Sequence, residues 1–150
     1  MKKVRIGVLG AYRGTSMINY CKRADHAEVV AICDKSPEAL DAQREAAAGL
    51  DITFYDHFDK FIEHDMDAVL LANFFHEHTP YAIRCLEKNI HVFSECLSNS
   101  TMAEGVQLVE AAEKSSAIYM LAENYPYMLF NQEMKRVYEG GTLGKCLYAE

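Results

Sequence analysis

The chain has 150 residues, 50% of them hydrophobic and 25% charged, with only 8 glycines and 3 prolines. A chain of this length buries roughly 68–70% of its unfolded surface, so one packed domain is expected and disordered or collagen-like classes are excluded. A formal charge of −7 without any basic run disfavours nucleic acid as a partner. No apolar run approaches the roughly 20 residues that cross a bilayer, and Lys2, Lys3 and Arg5 interrupt any secretory leader, so a cytoplasmic protein without membrane contact is expected. Cys21, Cys33, Cys85, Cys96 and Cys146 are scattered among apolar neighbours, which reads as reduced thiols rather than a disulfide framework.

Short β-branched or aromatic runs predict strands over residues 4–9, 28–33, 52–55, 68–72, 91–94, 117–122 and 146–149. Helical segments alternate with them. Met17, Ile18, Cys21 and Ala24 mark the apolar positions of the first. Ser36 and Pro37 supply an N-cap and an N1 proline for a helix over 37–48, and Thr79 and Pro80 do the same for 80–88. Thr101 to Glu104 reads as a capping box, with Met102, Val106 and Val109 forming one buried stripe behind it. Such alternation implies a doubly wound α/β domain whose sheet is mostly parallel. The glycine-rich segment 140–144 reads as a hinge; the strand after it has no later element to cover it, which predicts the front part of a longer protein.

In open α/β sheets, ligands bind beyond the carboxyl ends of the strands. Gly10, Ala11, Tyr12, Arg13 and Gly14 follow the first expected strand, where a dinucleotide fingerprint belongs. The match is partial: Tyr12 stands where the second glycine would be, and Gly14 arrives one residue early. Backbone N–H groups there can still hold a diphosphate, with Arg13 as an added cation; the rival is a plain tight turn. Asp34 closes the second strand near the spacing of roughly 20 residues at which an acid accepts bonds from a ribose. Its charge repels a 2′-phosphate and favours NAD over NADP. His76 and His78 form a His-x-His pair, but without further ligands at supporting spacing a zinc site is the weaker reading. Cys96 has no adjacent cation to stabilise a thiolate, so an inert thiol is favoured over a nucleophile. The loop from Glu123 to Tyr127 is polar, and its aromatics suit packing against another domain.

Together these features resemble the amino-terminal domain of the Gfo/Idh/MocA oxidoreductases. The resemblance rests on Arg5 to Gly10, Ala31 to Glu38, Asp67 to Ala72, His78, Ala82 to Glu95 and Gly141 to Lys145. It implies a Rossmann-like NAD(P)-binding domain over residues 1–140, with 141–150 as the hinge and first strand of a missing carboxyl-terminal substrate domain. That second domain would complete the substrate site and support a homo-oligomer. The resemblance further implies that Gly10 to Gly14 hold the pyrophosphate and Asp34 the adenosine ribose. Asn73, Phe74 and His78 would meet the middle of the cofactor, and Glu95 and Cys96 the nicotinamide side.

Two departures bear on chemistry. The family's Glu-Lys-Pro appears as Glu95, Cys96 and Leu97, so Cys96 occupies the position of the lysine that assists proton transfer; the family's Thr-Pro-Asn appears as Asn73, Phe74 and Phe75. A neutral thiol cannot support a developing alkoxide as an ammonium does. No catalytic residue is assigned, and the domain alone is expected to be inactive. The leading expectation is hydride transfer between NAD and a secondary alcohol of a sugar, cyclitol or related polyol. A non-catalytic NAD(H)-binding sensor is the alternative, and an S-adenosylmethionine-binding domain a third.

Overall fold

The computed structural model describes residues 2–148. Its elements follow the chain as β1 (Val4–Leu9), α1 (Thr15–Cys21), β2 (Ala27–Cys33), α2 (Pro37–Ala46), β3 (Thr53–Tyr55), α3 (Phe58–Phe61), β4 (Ala68–Leu71), α4 (His78–Glu87), β5 (His91–Ser94), α5 (Met102–Lys114), β6 (Tyr119–Leu121) and α6 (Leu129–Glu139). All five strand pairings are parallel, in the order β3-β2-β1-β4-β5-β6. The order reverses between β1 and β4, and that switch point opens a crevice at the strands' carboxyl ends.

Strand periodicity distributes the core between the two faces of the sheet. Leu9, Ala31, Cys33, Val69, Leu71 and Val92 pack with Phe58, Phe61, Ala82, Cys85 and Leu86, beneath α3 and α4. Their neighbours Val8, Ile32 and Leu70 point the other way, onto Ile18, Cys21 and Leu40 of α1 and α2. A one-residue period switch between faces is what covering both sides of a parallel sheet requires. Burial pushes the Cys33 and Cys85 thiols up to about 12. They are inert core groups.

Local signals set several boundaries. Ser36 Oγ accepts from Ala39 N at 3.2 Å, and Pro37 occupies the first turn of α2. The capping box at α5 is complete: Glu104 N donates to Thr101 Oγ1 at 3.2 Å and Thr101 N to Glu104 Oε2 at 3.0 Å. Three expectations fail.

Thr79 does not cap α4. The helix begins at His78 behind a 3-10 turn over Phe75–Glu77, and the Thr79 hydroxyl donates instead to Ser98 O at 2.9 Å. Pro80 still falls in the first turn, where its missing N–H costs nothing.

The stripe of Met102, Val106 and Val109 is exposed. The face of α5 that packs against the core carries Leu108, Ala111 and Ala112. Small side chains let α5 lie close to the layer below, while a hydropathy reading favours the larger residues.

No strand forms over Cys146 to Tyr148, which are exposed and pair with no strand among the described residues; Ala149 lies outside the described residues. No described helix is long and apolar enough to cross a membrane.

Candidate functional site

A cavity of about 680 Å³ opens over the switch point, lined by the glycine loop, the Asp34 to Glu38 segment, Asn73, Phe74, Glu77 and Tyr81. This size falls within the range of small-molecule and cofactor sites. Its floor depends on close backbone approach. Gly10 has φ +100°, and a Cβ there would lie 2.4 Å from the carbonyl carbon and oxygen of Ala72. Gly14 lets α1 descend onto β1, since a Cβ there would meet Val8 Cγ1 at 2.3 Å. The early glycine therefore provides close helix-to-strand contact. Tyr12 is 88% exposed and stands on the rim rather than in the floor. Between the two glycines, the N–H groups of Tyr12 and Arg13 have no partner among the described residues.

Asp34 is fixed by the backbone on both sides. Its Oδ2 accepts from Ala11 N at 2.7 Å and its Oδ1 from Ser36 N at 2.9 Å. Each oxygen retains a lone pair. Gln43, a residue the sequence reading missed, secures the same loop from α2. It is 8% exposed, and its Nε2 donates to Ala11 O at 3.1 Å and lies 2.9 Å from Thr15 Oγ1. Its signal was available in the spacing, because Gln43 follows Leu40 by three positions and precedes Ala47 by four, on the apolar side of a segment that otherwise presents charge.

The loops after β4 and β5 are tied together. His78 is 1% exposed; its Nδ1 lies 2.8 Å from Leu97 O and its Nε2 3.2 Å from Asn73 O. Both ring nitrogens face backbone carbonyl oxygens, so a ring N–H is the donor in these contacts. His78 thus holds the loops and does not line the cavity. His76 stacks on Phe74 with ring centroids 6.0 Å apart, so the His-x-His pair diverges. No group of three or more metal-ligating side chains assembles among the described residues. Asn73 Oδ1 is buried at the cavity wall without a partner among the described residues.

Beyond the cavity, Arg13 reaches across to Glu95, with Nε and a terminal nitrogen 2.9 and 2.8 Å from Oε1. Cys96 Sγ donates to Glu123 Oε2 at 3.2 Å. That bond, with some desolvation and the charges of Glu123 and Glu95, holds the Cys96 thiol above its ordinary value despite Arg13. Glu123 is held below the usual carboxylate range by the Tyr125 N–H and the Cys96 thiol. The site therefore contains a neutral thiol between two carboxylates. Glu123 completes an arrangement that sequence order alone does not bring together.

Residues 4–123 match the family model described as the Gfo/Idh/MocA oxidoreductase family, NAD-binding Rossmann fold. The chain belongs to this family. It is 28% identical over 143 residues to myo-inositol 2-dehydrogenase of Thermotoga maritima, covering 95% of this chain and 42% of that protein. A glycosyl hydrolase family 109 protein of Shewanella pealeana is 26% identical over 162 residues, covering 100% of this chain and 35% of the relative. Among solved structures, the WlbA dehydrogenase of Bordetella pertussis in complex with NADH and UDP-GlcNAcA superposes with a TM-score of 0.87 at 26% identity, over 96% of this chain and 44% of that one. The chain thus spans less than half the length of these relatives.

The residues present fit NAD. The floor at Gly10 admits no side chain, Asp34 presents two oriented carboxylate oxygens, and the orphaned Asn73 Oδ1 awaits a donor.

Proposed function

We propose that this chain is the cofactor-binding part of an NAD-dependent oxidoreductase acting on a secondary alcohol of a sugar, cyclitol or related polyol. One observation carries the reading: a single cavity joins the Asp34 carboxylate, the closely packed glycine loop and the unpaired Asn73 Oδ1. NAD, when bound, supplies a nicotinamide that accepts or donates hydride. Asp34 accepts bonds from the adenosine ribose hydroxyls, and the Tyr12 and Arg13 N–H groups receive the diphosphate. Asn73 and Phe74 meet the middle of the cofactor; Glu95 and Cys96 border its nicotinamide side. The names of the relatives, an inositol dehydrogenase and a dehydrogenase bound to a nucleotide sugar, support the substrate class. With His78 engaged by two backbone carbonyls, the proton-handling role falls to Glu95 or to a group outside this domain.

Calorimetric titration with NADH, NADPH and S-adenosylmethionine tests the cofactor assignment. NADH binds, and Asp34→Ala weakens it about 10- to 100-fold, the range for bonds to a charged acceptor. Binding of adenosylmethionine without NADH overturns the assignment.

The Cys96 to Glu123 bond favours a second reading, a non-catalytic NAD(H) sensor, because no ammonium stands at this position. The longer protein incubated with NAD and a broad polyol panel separates the two. Reproducible NADH formation with any substrate eliminates the sensor.

A further inference from the structure

Arg13 and Lys35 are the two cations that line the cavity, and each is held by a carboxylate. Lys35 directly follows Asp34, and its Nζ lies 2.5 Å from Glu77 Oε1 in the turn before α4. The bond to Glu77 holds the Lys35 ammonium above its ordinary value. Partial burial is the largest single influence and works to raise the Glu77 carboxyl, but the bond and charge of Lys35, with smaller contributions from Asn73 and His76, together leave Glu77 below the usual range. The other polar groups at this end are also engaged. Ser36 Oγ donates to Glu38 Oε2 at 2.8 Å, and Ser36 N donates to Asp34. Asp34, Lys35, Glu38 and Glu77 thus line the same end of the cavity, and Glu77 is the carboxylate that holds the ammonium.

In dinucleotide-binding folds, a cation beside the ribose-binding position accommodates the 2′-phosphate of NADP. Lys35 has the chemistry and the sequence position for that role. We propose that Glu77 is a specificity-determining residue that engages Lys35 and so denies a 2′-phosphate its counter-ion. This rests on the cofactor assignment above and extends it, because discrimination is then shared between the repulsive Asp34 and a neutralised neighbour on a different loop. It follows that replacing Asp34 alone gives an incomplete switch. An exposed, screened pair contributes modestly, so the effect is a several-fold change in preference.

The test measures the ratio of NADPH to NADH affinity for the wild type, Asp34→Ser, Asp34→Ser/Glu77→Gln and Asp34→Ser/Lys35→Met/Glu77→Gln, at low salt. Adding Glu77→Gln to Asp34→Ser raises the ratio about 3- to 10-fold, and Lys35→Met abolishes that gain. No gain from Glu77→Gln overturns the proposal. A gain that survives Lys35→Met also overturns it, since removal of a negative charge would then suffice. A wild-type chain that binds neither nucleotide overturns the cofactor assignment itself, and this outcome is distinct from NADH binding with an unresponsive ratio.

Discussion

Three glycine substitutions, two in the loop that floors the cavity and one in the turn after α2, separate backbone strain from steric contact. Gly49 has φ +87° with nothing within 4 Å of an added Cβ. Each Gly→Ala change gains the same increment of about 0.4–1 kcal/mol from a less flexible unfolded chain, and Gly49→Ala sets against it only the left-handed penalty of about 1–2 kcal/mol. Gly14 has an ordinary φ of −69°, but its added Cβ would meet Val8 Cγ1 at 2.3 Å and Gly10 O at 2.6 Å. Gly14→Ala thus carries an overpacking cost of about 1–3 kcal/mol without the strain. Gly10 combines φ +100° with contacts at 2.4 Å to the Ala72 backbone, so Gly10→Ala costs about 2–5 kcal/mol. Backbone leaving the end of a central strand cannot step aside as a side-chain tip can. Urea denaturation at a common m-value gives the three costs, and NADH titration shows which variants keep the cavity. The expected order is Gly49→Ala, Gly14→Ala, Gly10→Ala, with NADH binding lost in the last and retained in the first. A Gly10→Ala cost no greater than that of Gly49→Ala would refute the close-approach argument.

Two further predictions concern supporting residues. Gln43→Ala removes the amide that donates to Ala11 O and lowers stability by about 1–2 kcal/mol, with a several-fold weakening of NADH. Unchanged NADH affinity by calorimetry removes Gln43 from the support of the loop. Because Cys96 donates to the Glu123 carboxylate and its thiol lies above its ordinary value, alkylation of Cys96 is slow at neutral pH and rises only above the range of a free cysteine. In a Cys146→Ser background, Glu123→Gln moves the rate profile to lower pH; superimposable profiles refute the bond.

Much of the architecture was legible because it rests on short-range chemistry. The cap at Ser36, the capping box at Thr101 and the alternating strands are decided by residues a few positions apart, and the structure reproduces them. The α5 stripe failed because the sequence offers two candidate faces and only tertiary contact selects the one with Leu108, Ala111 and Ala112. Thr79 was misread for a similar reason, since Ser98 O competes for its hydroxyl from a distant loop. At the site, the turn residue Gly10 and the strand-end acid Asp34 announce themselves by position. Pairings such as Lys35 with Glu77, Arg13 with Glu95 and Cys96 with Glu123 join different loops. No local pattern encodes which charge meets which.

The bonds from His78 and Thr79 to the segment after β5 have a consequence for the thermodynamics of ligand capture. With Leu97 O and Ser98 O engaged by buried side chains of α4, that side of the crevice is ordered when the chain folds. Ligand capture then freezes few additional rotors there, which leaves more of the contact energy available as affinity. The heat-capacity change on binding accordingly reflects buried apolar area rather than coupled folding.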